Sequence, residues 1–128
     1  MPAADLEGLP PEVEATYDEA RRSFSVNAFT GCALLCRKLL MHVAVNAAGA
    51  EEGGTFASYV EALQSAGFIT PPMIGWVDRI RENANESTHE LPAPSRQRAE
   101  MTLSFTMQLL RIVYEMKYQA AKGTALDE

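Results

Sequence analysis

Residues 29–48 read FTGCALLCRKLLMHVAVNAA, and the spacing within them decides the fold. Phe29, Cys32, Cys36, Leu39, Leu40, Val43 and Ala47 recur mostly every three or four positions, the period that gathers side chains on one face of a helix. Leu34, Met41 and Val45 form a second, narrower apolar line nearly opposite the first, at about 100° per residue. A helix on the surface of a monomer has no use for that second line. This helix is therefore expected to be covered on two sides, with Leu34, Met41 and Val45 forming an interface. Asn27 is its expected N-cap, and Gly49 followed by Glu51-Glu52-Gly53-Gly54 is its expected stop.

The flanking segments carry the same period. After Pro10-Pro11, Val13, Tyr17, Ala20 and Phe24 line one face, and Glu12 and Glu14 put negative charge in the first turn, where the helix dipole favours it. Phe56, Tyr59, Val60 and Leu63 predict a short third helix, capped by Thr55 and ended by a left-handed Gly67. Thr70-Pro71-Pro72 opens a fourth, with Met73, Trp76, Val77, Ile80 and Ala84 on one side, fading near Asn85. Pro92 and Pro94 require a loop across 90–95, and Ser95 is placed to cap a long fifth helix. Between Met101 and Tyr118 the only narrow polar line is Ser104, Gln108, Arg111 and Glu115, so that helix is expected at the centre of the bundle or against another molecule.

Strand-type alternation and internal repeats are absent from the sequence. The expectation is an all-α fold, an antiparallel helical bundle of about five helices. It would occupy residues 10–120 as a single domain, with a flexible leader over 1–9 and a frayed tail over 121–128.

The chain has 128 residues, 47% of them hydrophobic and 22% charged, enough for one core and too few for two domains. Its formal net charge of -6 and pI near 4.9 argue against broad coating of nucleic acid or binding to anionic membranes. Any RNA contact would be confined to a local site. Residues 1–9 lack the basic start and apolar core of an export signal, and no uncharged run reaches the ~20 residues of a spanning helix. A cytoplasmic protein with no membrane partner is expected.

Cys32 and Cys36 are the only cysteines, too few for a disulfide-stapled fold, and are read as small core fillers in a reducing compartment. His42 points away from them on a helical wheel, so no zinc site is expected. No cofactor is implied. There is no phosphate loop, no Gly-x-Ser-x-Gly elbow and no His-Glu-x-x-His helix. The methionines at 41, 73, 101, 107 and 116 fall in or beside apolar stripes and suit packing.

One segment carries a hint of chemistry. Asp78 to His89 reads DRIRENANESTH, and in a helix Arg81, Asn85 and His89 would follow one another at four-residue steps along a ridge bordering the apolar stripe. Partial desolvation there would strengthen a guanidinium and an imidazole as donors to a phosphate.

The Arg-x-x-x-Asn-x-x-x-His run, its Trp-x-Asp-x-Ile lead, and the Ala-Leu-Leu-Cys-Arg-Lys-Leu-Leu stretch at 33–40 resemble the prokaryotic domain of unknown function numbered 4145, DUF4145, among the HEPN-like helical domains. The resemblance covers roughly Leu9 to Met116. It implies a helical bundle, commonly dimeric, in a toxin, antiphage or regulatory setting. It also implies that Arg81, Asn85 and His89 would be the catalytic residues of a metal-independent endoribonuclease, if this member has that activity. His89 would then move a proton at a ribose 2′-hydroxyl or leaving oxygen, and Arg81 would stabilise charge on the phosphate, with Asn85 positioning one of them. Arg79, Arg96 and Arg98 would add local positive charge.

Seven residues separate Arg81 from His89, against four to six in the ribonuclease pattern, and Ala84 stands where the closer family often has glycine. The residues also admit a structural reading, in which Asp78 and Arg81 form an intrahelical ion pair, Asn85 ends the helix and His89 bonds its end. The two functional expectations are accordingly a module that dimerises or binds a protein partner and, alternatively, the ribonuclease. Arg37 is expected to strut a carboxylate, with Lys38 read in the same way, and His42 to lie on the surface without a partner.

Overall fold

Helix α1 spans Pro11–Ser25, with proline in its first turn, and buries Val13, Tyr17, Ala20 and Phe24, the four positions its periodicity marks. The computed structural model describes the backbone of residues 3–87 and 94–127 and the side chains of residues 3–80 and 94–123.

At the end of α1 the Asn27 amide donates to the Phe24 carbonyl (3.0 Å) and the Ala28 amide to that of Ser23 (2.8 Å). This is a Schellman closure, whose left-handed position is filled by Asn27 at φ 62°. Asn27 therefore ends α1 and does not cap the next helix. Asparagine tolerates that conformation better than other residues with a side chain, and Ala28 stands at the N-cap with no side-chain bond.

Helix α2, Phe29–Ala48, folds back along α1, and the rings of Phe24 and Phe29 meet at 5.7 Å across the turn. Its buried stripe is Cys32, Cys36, Leu39, Leu40, Val43 and Ala44. Ala47, expected in that stripe, is exposed because it sits near the end of the helix in the wall of a cleft. By length and composition α2 could cross a membrane, with a mean hydropathy of 1.2, which corrects the expectation drawn from uncharged runs alone. In the bundle α1 and the helices over Phe56–Ser65 and Arg96–Leu110 cover its apolar stripe.

Helix α3 is Phe56–Ser65; Thr55 Oγ1 accepts from the Ser58 amide (3.1 Å) at its start. Its far end is a second Schellman closure, with Gly67 at φ 84° and the Phe68 amide bonded to the Leu63 carbonyl (2.9 Å). A 3-10 turn over Pro71–Met73 leads into α4, Ile74–Ser87, where Met73, Val77 and Ile80 are buried and Trp76 meets Phe105 edge-on at 6.3 Å.

The last helix begins at its expected cap, with Ser95 Oγ accepting from the Arg98 amide (3.2 Å). It runs as α5 (Arg96–Leu110), a π turn (Arg111–Glu115) and α6 (Met116–Asp127). No residue from 101 to 115 is exposed, so this is the central member of the bundle. Burying leucines such as Leu103 and Leu109 stabilises the fold by roughly 1.5–3 kcal/mol each. Thr102 and Thr106 are tolerated inside because their hydroxyls donate to the carbonyls of Arg98 (2.9 Å) and Thr102 (2.8 Å) one turn back.

Residues 3–9 form no helix, yet they do not hang free as the sequence suggested. Ala3 is buried, and Leu6 and Leu9 pack on the core. The Tyr17 hydroxyl donates to the Ala4 carbonyl (2.6 Å), and Arg21 pairs with Asp5 (2.6 Å). Apolar contact and long-range hydrogen bonds together hold this leader. At the other end the helix continues through Asp127, beyond residue 120 where the bundle was expected to stop. Among the described residues there is no strand.

Candidate functional site

Arg81 and Asn85 stand one turn apart on the backbone of α4, and that helix continues through Ser87, so Asn85 does not terminate it. Their side chains, and the whole of His89, lie outside the described residues. Asp78 and Arg79 are exposed on the preceding turn.

The outer line of α2 is only partly as expected. Leu34 and Met41 are exposed, at 59% and 42%, on the side of the helix opposite the buried stripe. Val45 is half-buried and packs on the core, so it belongs partly to the bundle itself. Arg37, expected against a carboxylate, instead holds its guanidinium 5.8 Å from the centre of the Phe56 ring. An aromatic face attracts the cation and covers its stem.

One concavity among the described residues was not visible in the sequence. It is an open cleft of about 870 Å³ bounded by the leader, the start of α1, the end of α2, Phe68, the π turn and α6. That volume lies in the range of small-molecule sites. Phe68, Ile112 and Val113 supply apolar surface, while Glu12, His42, Asn46 and Lys117 add polar groups. Glu12 near the start of α1 and His42 near the end of α2 reach the same cleft because the two helices run antiparallel.

His42 is thus half-buried and has a neighbour, where a solitary surface residue was expected. Asn46 Nδ2 lies 3.3 Å from His42 Nδ1 and also donates to the His42 carbonyl at 2.9 Å. If Nδ1 accepts from the amide, Nε2 carries the proton as a donor. Burial, reinforced by the Glu12 carboxylate, pushes the Tyr114 phenol above its ordinary value and keeps it a neutral donor. The cleft therefore offers both hydrogen-bond donors and acceptors above an apolar floor. No local pattern could have announced it, since its residues come from four separated stretches of the sequence.

Cys32 and Cys36 are buried free thiols, as expected of core fillers. The hydrogen bond to Cys32 and burial hold the Cys36 thiol well above its ordinary range. Buried, protonated sulfur is a poor nucleophile. Among the described residues no group of three or more histidine, cysteine or acidic side chains is placed to hold a metal ion.

No curated protein and no solved structure matches the chain. The family model described as Domain of unknown function (DUF4145) matches residues 18–127, from the middle of α1 to the end of α6, and on that match the chain belongs to the DUF4145 family.

Proposed function

We propose that this protein is a HEPN-like binding module of the cytoplasm that pairs with a second copy of itself through the outer face of α2, in a prokaryotic conflict or regulatory system. The observation that carries this reading is the pair Leu34 and Met41. Both are large apolar side chains left exposed on a helix whose opposite face is fully used by the core. Covering such a ridge removes apolar surface from water, and a two-fold arrangement presents the same patch from both partners. The polar residues Thr30 and Lys38 also lie exposed on this helix, compatible with a face wet in the monomer and rimmed by polar groups in a complex. The test is the solution mass of the full chain by sedimentation at tens of micromolar. A dimer supports the reading, and a strict monomer overturns it.

A second reading, a metal-independent endoribonuclease, draws support from the continuation of α4 through Ser87, which keeps Arg81 and Asn85 in helical register. In that reading Arg81, Asn85 and His89 act on an RNA phosphate in the roles the resemblance gives them. Arg79, Arg96 and Arg98, all exposed, would draw the strand to that end of the bundle against the net negative charge of the whole. RNA cleavage by the full chain, lost on substituting His89, is its test.

A further inference from the structure

We infer that residues 3–9 and the π turn form a latch, in which the leader splints the last helix and fixes the rotation of α6. The leader touches that helix on both sides of the turn. Upstream, the Ala4 amide donates to Met107 Sδ (3.3 Å). At its end and downstream, the Glu7 amide donates to Glu115 Oε2 (2.7 Å), Gly8 lies against the Tyr118 ring, and Lys122 Nζ approaches Glu7 Oε2 (3.5 Å). Positions 115, 118 and 122 are three and four apart, so one helical face meets the leader.

That face exists where it does because of the π turn. A π turn takes in one residue more than an α turn, so the helix beyond it is rotated by about 100° relative to a continuous α-helix. Relaxation to the α register would carry Tyr118 and Lys122 around the axis, away from Gly8 and Glu7. The turn also leaves Glu115 inside the protein, where its carboxylate accepts from Arg111 Nε (3.1 Å) as well as from the leader. Losing the Glu7 amide would leave a buried carboxylate with one donor fewer, a costly state. The leader therefore stabilises the π turn, and the π turn builds the seat for the leader.

The latch sets the cleft. Gly8 and Pro10 on one side, and Lys117, Tyr118 and Ala121 on the other, are cleft walls placed by the two halves of the device. Release would withdraw both walls at once. By linkage, whatever occupies the cleft would hold the leader down, and whatever draws the leader away would dismantle the cleft.

Amide hydrogen exchange on the full chain tests this. In a denaturant series on the wild-type protein, residues 3–9 and 112–118 are expected to open together, in one event below global unfolding, while residues 32–44 remain protected. Gly8→Val would set a side chain into Tyr118 at φ 76°. It is expected to speed exchange in both segments by more than ~10-fold, with little change over 32–44. Glu115→Ala should free residues 3–9 from the opposite end. Separate openings in the wild-type series would overturn the latch, and so would faster exchange at 3–9 in Gly8→Val with undiminished protection at 112–118. Should Gly8→Val fail to fold, the wild-type series decides alone.

Discussion

The Tyr17 hydroxyl reaches the Ala4 carbonyl across 2.6 Å, so a side chain in the middle of α1 anchors a segment that has left the helix. Burial raises the Tyr17 phenol to about 12 against partial relief from the Arg21 guanidinium, compared with 10.0 for a free tyrosine. Between those values the folded chain keeps a proton that the unfolded chain gives up. The stability from Tyr17 is therefore fully present below pH 10 and lost as pH rises towards 12. Tyr17→Phe should cost about 1 kcal/mol at neutral pH through the lost hydrogen bond, and should flatten the alkaline fall. Urea unfolding at a series of pH values checks both; an unchanged alkaline slope in the variant would show that Tyr17 is not the titrating group.

Gly67 makes a local prediction independent of the site. Its φ of 84° closes α3, and no atom outside its chain neighbours lies within 4 Å of where a Cβ would stand. Gly67→Ala therefore meets backbone strain alone, and should cost about 1 kcal/mol in urea unfolding with the helical signal retained. A neutral result would mean that the turn relaxes to another conformation.

For the ribonuclease reading, His89→Ala is the decisive substitution. If His89 moves a proton in the reaction, cleavage of a mixed RNA pool should fall by ~100-fold or more, with unchanged circular dichroism and solution mass. Unaltered cleavage by the variant would remove His89 from the chemistry.

Periodicity specified much of this fold because most of the helices answer to their own spacing. The four buried positions of α1 and the Ser95 cap follow from neighbours within a turn, which a sequence displays directly. Asn27 misled because the same side chain suits an N-cap and a left-handed helix end, and only the path of the chain decides between them. The π turn left no mark at 111–115, since contacts with the leader hold it, more than a hundred positions away in sequence. The His42 partner, by contrast, is Asn46, one turn further along the same helix and within reach of a sequence reading. The cleft exists only once α1, α2 and the last helix lie side by side, whereas the Arg81, Asn85 and His89 pattern lies within nine consecutive residues and was legible at once.

The outer face of α2 gives a graded test, because burial differs along one line of side chains. Leu34 is the most exposed, Met41 less so, and Val45 touches the core. If this face pairs two copies, Leu34→Glu should lower association by ~10-fold or more while leaving the urea midpoint almost unmoved, since a carboxylate is welcome in water and unwelcome in an interface. Val45→Glu should lose association and stability together. Leu103→Ala, deep in the central helix, should cost roughly 2–5 kcal/mol of stability as the core control. Sedimentation and urea unfolding on the same three variants distinguish a ridge built for pairing from one that is merely apolar. Only the former makes substitution of the most exposed leucine damaging to association while leaving the fold almost untouched.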